Sequence, residues 1–96
     1  MPYRVYKLKG SDRARLDQAL TDDLLSRQSI RVLDARHFGQ GGDGIYLFVE
    51  GAEAGMTRAD ALILAFGERA ENADALHQML KDEDDAAASG LGSIFG

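Results

Sequence analysis

Apolar and polar positions alternate in three stretches of the chain. In "YRVYKLK" (Tyr3–Lys9), Val5 and Lys7 fall on one side and Arg4, Tyr6 and Leu8 on the other, and Gly10 ends the run. That pattern predicts a strand. "SIRVLDARHF" (Ser29–Phe38) sets Ile30, Val32 and Asp34 against Arg31, Leu33 and Ala35 and predicts a second, weaker toward its end. "GIYLFVE" (Gly44–Glu50) is apolar on both sides, with Ile45, Leu47 and Val49 against Tyr46 and Phe48. This is the pattern of a central strand covered on both faces.

Two other stretches repeat their apolar residues every three or four positions. Leu16, Ala19, Leu20 and Leu24 follow Ser11, a good N-cap, and predict a helix to about Ser26 that frays at Thr21-Asp22-Asp23. Ala59, Leu62, Ile63, Phe66, Ala70, Ala73 and Leu76 predict another. Its start is marked by the capping-box pattern Thr57-Arg58-Ala59-Asp60 after a "GAEAG" loop, and Gly67 weakens it. It should end by Lys81, because the acids Asp82–Asp85 oppose a helix C-terminus. The domain is therefore expected to span 1–81, with 82–96 an acidic linker and a Gly/apolar tail. In that tail Leu91–Phe95 is either a free end or a short last strand.

The order strand, helix, strand, strand, helix and an optional strand predicts an α+β two-layer sandwich of the ferredoxin-like β-α-β-β-α(-β) kind. Its sheet would be antiparallel or mixed, with two helices on one face. The other face would be open, with Tyr6, Tyr46 and Phe48 on it. Exposed aromatics of that kind form a patch that a partner covers.

The glycines of "HFGQGGDG" raise the question of a phosphate cradle. A dinucleotide fingerprint lies between a strand and a helix, whereas these lie between two strands. A Walker loop would need lysine where Ile45 stands. The turn-prone pair Asp43-Gly44 makes a hairpin turn the better reading.

Ninety-six residues make one domain. The net charge of −5 disfavours nucleic acid and anionic membrane, but it is uneven. Residues 1–15 carry five bases against Asp12, while residues 38–96 carry eleven acids against Arg58, Arg69 and Lys81. With no cysteine there is no disulfide, thiol nucleophile or zinc-thiolate site, which fits a cytoplasmic protein. The N-terminus lacks the apolar core of a signal peptide, and no run is long enough to span a membrane.

Candidate chemistry is sparse. His37 borders the glycine loop near Asp34 and Asp43, which makes His37 and Asp43 the loop candidates for a base or ligand site. His77 has no motif joining it to His37. Asp82–Asp85 lacks the glycine and distal glutamate of a calcium loop, and Arg31 and Arg36 converge on nothing. No cofactor or metal is expected.

"VYKLKG" (Val5–Gly10) places Tyr6 where the RNA-recognition motif family has its first-strand aromatic, and "GDGIYLF" (Gly42–Phe48) resembles that family's Gly/aromatic octamer. Gly42, Gly44 and Phe48 match. Asp43 and Ile45 stand where aromatics are usual, and the leading base is missing. The resemblance implies RNA stacked on the sheet. The tail "SGLGSIFG" is similar to the Gly/Leu/Ser/Ile tags that load cargo into encapsulin shells, which implies a docking peptide.

The expectation is thus a small soluble non-enzymatic binding or assembly module working through an open sheet face, with a protein partner or itself as a homodimer. The alternatives are an RNA-binding domain, or a small-ligand sensor or enzyme using the 37–44 loop.

Overall fold

Tyr3–Leu8 (β1) and Ile45–Glu50 (β3) pair antiparallel along their whole length, with Tyr3 opposite Glu50 and Leu8 opposite Ile45. Ser29–Asp34 (β2) pairs with the other side of β3. The two-residue strand Glu68–Arg69 (β4) pairs with β1. The sheet is antiparallel with order β2-β3-β1-β4. Three α-helices accompany it: Arg13–Ala19 (α1), Glu53–Ile63 (α2) and Ala73–Phe95 (α3). The computed structural model describes the backbone of residues 1–39 and 41–95, and the side chains through Ala86 except that of residue 40.

This register sorts the core into two halves. Tyr6, Leu8, Ile45, Leu47 and Val49 pack against Leu16 of α1 and Met56, Ala59 and Ile63 of α2. Val5, Tyr46 and Phe48 pack on the opposite face against Leu76 and Leu80 of α3. β3 is buried on both sides, as its sequence predicts. The expected open face is corrected: α3 lies on it.

That cover was hidden because residues 59–81 read as one helix, whereas Leu76 and Leu80 belong to a separate helix that begins at Ala73. The helix does not stop at Lys81 but continues through Asp82–Asp85, and its backbone is helical to Phe95, so Leu91–Phe95 is not a strand. Acids that oppose the dipole of a helix end are mid-helix here, and several have partners. Asp82 accepts from Gln78 (3.0 Å), Glu83 meets His37 (2.8 Å), and Asp84 accepts from Arg31 (3.1 Å). Whether the tail's side chains dock on anything lies outside the described residues.

Other boundaries moved for local reasons. α2 begins at Glu53, not Thr57, because Gln28 Oε1 accepts the Ala52 backbone N–H (3.0 Å) and so satisfies one of the helix's unpaired donors. Asp60, expected to cap, is mid-helix and serves other partners. The predicted long helix breaks after Ile63, where the Gly67 N–H folds back on the Ile63 carbonyl (2.8 Å) and β4 follows. α1 ends at Ala19, and Asp22 Oδ2 accepts the Leu25 N–H (3.0 Å) to start a separate 3₁₀ turn, Leu25–Arg27. β2 ends at Asp34, and Ala35–Phe38 form a 3₁₀ turn closed by Gly39 in the left-handed region (φ 76°). The glycine loop is therefore part of a longer connection than a tight hairpin turn.

That loop packs on Gly10, where an added Cβ would sit 2.4 Å from the Asp43 carbonyl oxygen. Because the obstacle is backbone, the loop itself would have to move. Gly10→Ala is expected to lose about 1–3 kcal/mol in urea unfolding; an unchanged midpoint would show that the loop does not rest there.

Candidate functional site

The hydrogen-bond phase of β2 decides what its free edge offers. The Ala35 N–H donates to the Gly44 carbonyl (2.9 Å), which makes 35 and 44 a bonded pair continuous with the β2–β3 register. Bonded and non-bonded pairs alternate along antiparallel strands. Leu33, Arg31 and Ser29 therefore spend their backbone groups on β3, while Ile30, Val32 and Asp34 turn theirs outward. The Asp34 carbonyl opens the 3₁₀ turn Ala35–Phe38; among the described residues nothing bonds to the other outward groups. The strand has no proline or bulge to protect its edge, and of its two charged residues, Arg31 and Asp34, the first is held by Asp84 of α3. Ile30, Val32 and Leu33 are only half-buried along it. The opposite edge, β4, is protected by its shortness.

α3 crosses the face above this edge. Tyr3 on β1 donates its hydroxyl to Asp74, a bond that raises the phenol's pKa, and stacks on His77 with ring centroids 3.8 Å apart and planes 8° apart. His77 Nε2 lies 3.8 Å from Glu50. Farther along, Asp84 and Glu83 hold Arg31 and His37. Between α3 and β2 these groups leave a cleft of about 170 Å³ lined by Ser29, Arg31, Glu50, His77, Lys81 and Asp84. Most of its charges are already paired within the chain.

No family model, curated protein or solved structure matches the chain. The reading of the site therefore rests on its geometry.

The structure separates the three aromatics expected to share a face. Tyr46 and Phe48 lie under α3 with Phe38, at centroid distances of 5.6 and 5.8 Å from it. Tyr6 points the other way, toward α2, and donates its hydroxyl to Asp60 Oδ1 (2.5 Å). Arg69 on β4 holds Asp60 Oδ2 (2.5 Å), and Arg4 Nε lies 3.6 Å from Oδ1. Burial and the bond to Asp60 push the Tyr6 phenol up. Burial pushes the Asp60 carboxyl up as well, but Tyr6, Arg69 and Arg4 outweigh it and leave it below the ordinary carboxylate value. The expectation of an exposed aromatic patch is corrected: Tyr6, Tyr46 and Phe48 are 0, 2 and 6% exposed.

The loop candidates have separate structural partners. His37 is committed to Glu83, and Asp43 packs on Gly10. Arg36 has no ion pair among the described residues, nor is there any His, Asp and Glu cluster among them that could hold a metal. No described helix is long and apolar enough to cross a membrane. Sequence reasoning missed the edge of β2. Its signal was present in the Ile30-x-Val32 alternation, but only the pairing order shows that β2 is outermost.

Proposed function

We propose that this chain is a non-enzymatic protein-interaction module that accepts an added strand along β2. One observation carries the reading: the outward N–H and C=O groups of Ile30 and Val32 and the outward N–H of Asp34 have no partner among the described residues. An edge of this kind is a template for another chain, with backbone bonds supplying affinity and alternate side chains supplying selectivity. The fold is read as ferredoxin-like with a further helix. From its other edge the strand order runs β4-β1-β3-β2, with α1 and α2 packed on one face, and this supports that reading.

RNA binding would need rings free to stack on bases. The buried tyrosines and Phe48 do not provide them, and the chain's net charge is −5.

Val32→Pro tests the proposal. The Val32 N–H points outward, so proline removes no bond to β3, while its ring blocks an incoming strand. A random library of extended peptides selected on the full chain should yield binders that Val32→Pro holds about tenfold or more weakly. Selection of no peptide, or equal binding by the folded variant, overturns the reading.

A further inference from the structure

We propose that the strand added to β2 is β2 of a second copy, related by a two-fold axis through Val32. This rests on the strand-addition reading and goes further by naming the occupant. An antiparallel mate keeps Ile30, Val32 and Asp34 all within the partner strand in one register only, with Val32 opposite Val32 and Ile30 of each copy opposite Asp34 of the other. In that register Arg31 faces Leu33, so neither the arginines nor the aspartates oppose their own kind. The next allowed register in one direction sets Arg31 against Arg31, where like charges directly opposite are destabilising. In the other direction Ile30 passes beyond the end of the partner strand.

The path of α3 points to the same occupant. The helix starts over β1, where Asp74 meets Tyr3, and reaches β2, where Asp84 meets Arg31. Its residues 85–95 continue helical for about another 16 Å at 1.5 Å per residue. An α3 that keeps this direction leaves its own sheet across the β2 edge, over the position of an added strand. A two-fold axis normal to the sheet keeps both α3 helices on the same face, running antiparallel, each projecting over the other copy's β2. A foreign strand would satisfy the backbone groups but bring no counterpart for this projection. A second copy also brings basic groups beneath it. α3 already binds Arg31 and His37 of its own chain through Asp84 and Glu83, and neither Asp85 nor Arg36 has an ion pair among the described residues.

The test uses sedimentation equilibrium of the full chain, the Val32→Pro variant and the Asp34→Pro variant. Asp34 has φ −68°, already the value proline requires, and an exposed side chain, so this second variant should fold. The native chain is expected at twice the monomer mass by about 100 µM, and both variants should be about tenfold or more weaker in association. Amide exchange should show Ile30 and Asp34 protected in the native chain and open in Val32→Pro at the positions that retain an N–H. A native chain that stays monomeric overturns the second copy as occupant. It leaves strand addition standing, and that falls only if the peptide selection also fails. A dimer that persists unchanged in both folded proline variants also overturns the second copy as the strand added to β2.

Discussion

Asp60→Ala is expected to lose about 2–4 kcal/mol of stability at neutral pH, far more than an average surface substitution. Tyr6 is fully buried, and the carboxylate is the acceptor for its hydroxyl. Removing the acceptor leaves a buried donor without its partner, and it takes the counter-charge from Arg4, whose Nε is buried without a hydrogen bond of its own. Arg69 is more than half exposed, so its share of the loss is small despite the short contact. Tyr6→Phe removes the donor instead and leaves Asp60 its arginines; about 1 kcal/mol is expected. The inequality is the prediction, read by urea denaturation at pH 7. If Asp60→Ala costs no more than Tyr6→Phe, the carboxylate is not the organising group. The pH dependence has a fixed sign. The Asp60 carboxyl lies below its ordinary value in the folded state, so the unfolded chain takes up the proton first. Its contribution is full above the ordinary carboxylate value of about 3.9 and fades as pH falls through the folded value. The gap between the native chain and Asp60→Asn should therefore narrow toward acid pH.

The strands were legible because their alternation is strict and their burial follows it. β3 shows this best: five of its six residues are buried, and its sequence is apolar on both sides. What stayed illegible depended on contacts between distant residues. Gln28 caps α2 from twenty-four positions away and turns "GAEAG" from a loop into the first turn of a helix. β4 is only two residues long and lies inside a stretch with helical spacing, so periodicity passes over it. The acid run looked like a helix stop because its partners, Arg31 and His37, are far back in the chain. A missed break displaced the candidate site. With residues 59–81 read as one helix, one sheet face seemed free and the aromatics seemed exposed. As a separate helix, α3 covers that face through Leu76 and Leu80, and the unpaired side of the sheet is its β2 edge.

Leu76→Asp is expected to release α3 from the sheet while α1, α2 and the strands stay folded. Leu76 is 1% exposed and packs with Leu80 over Val5, Tyr46 and Phe48. The rest of the helix holds on through half-exposed polar contacts, the Tyr3–His77 stack and the Arg31–Asp84 pair, which individually contribute little. A buried carboxylate with no counter-ion would cost several kcal/mol, more than such contacts can offset. The helix packs on one face of the sheet, apart from α1 and α2, so it can escape that cost by leaving. Once free it has little to keep it helical, since most helical stability in proteins comes from packing of the apolar face, and Gly90 and Gly92 interrupt it. The expected signature is a loss of helical circular dichroism confined to α3, with binding of a hydrophobic dye to the uncovered Tyr46 and Phe48, and native amide shifts retained in β1 and α2. Leu80→Asp should act alike. If either variant instead loses the amide signals of α2 together with those of α3, then α3 is part of one cooperative core rather than a cover laid over it. The outcome also bears on the edge. A released α3 no longer projects over β2, so a dimer that needs both elements should weaken with Leu76→Asp, whereas capture of a simple extended peptide at β2 should survive.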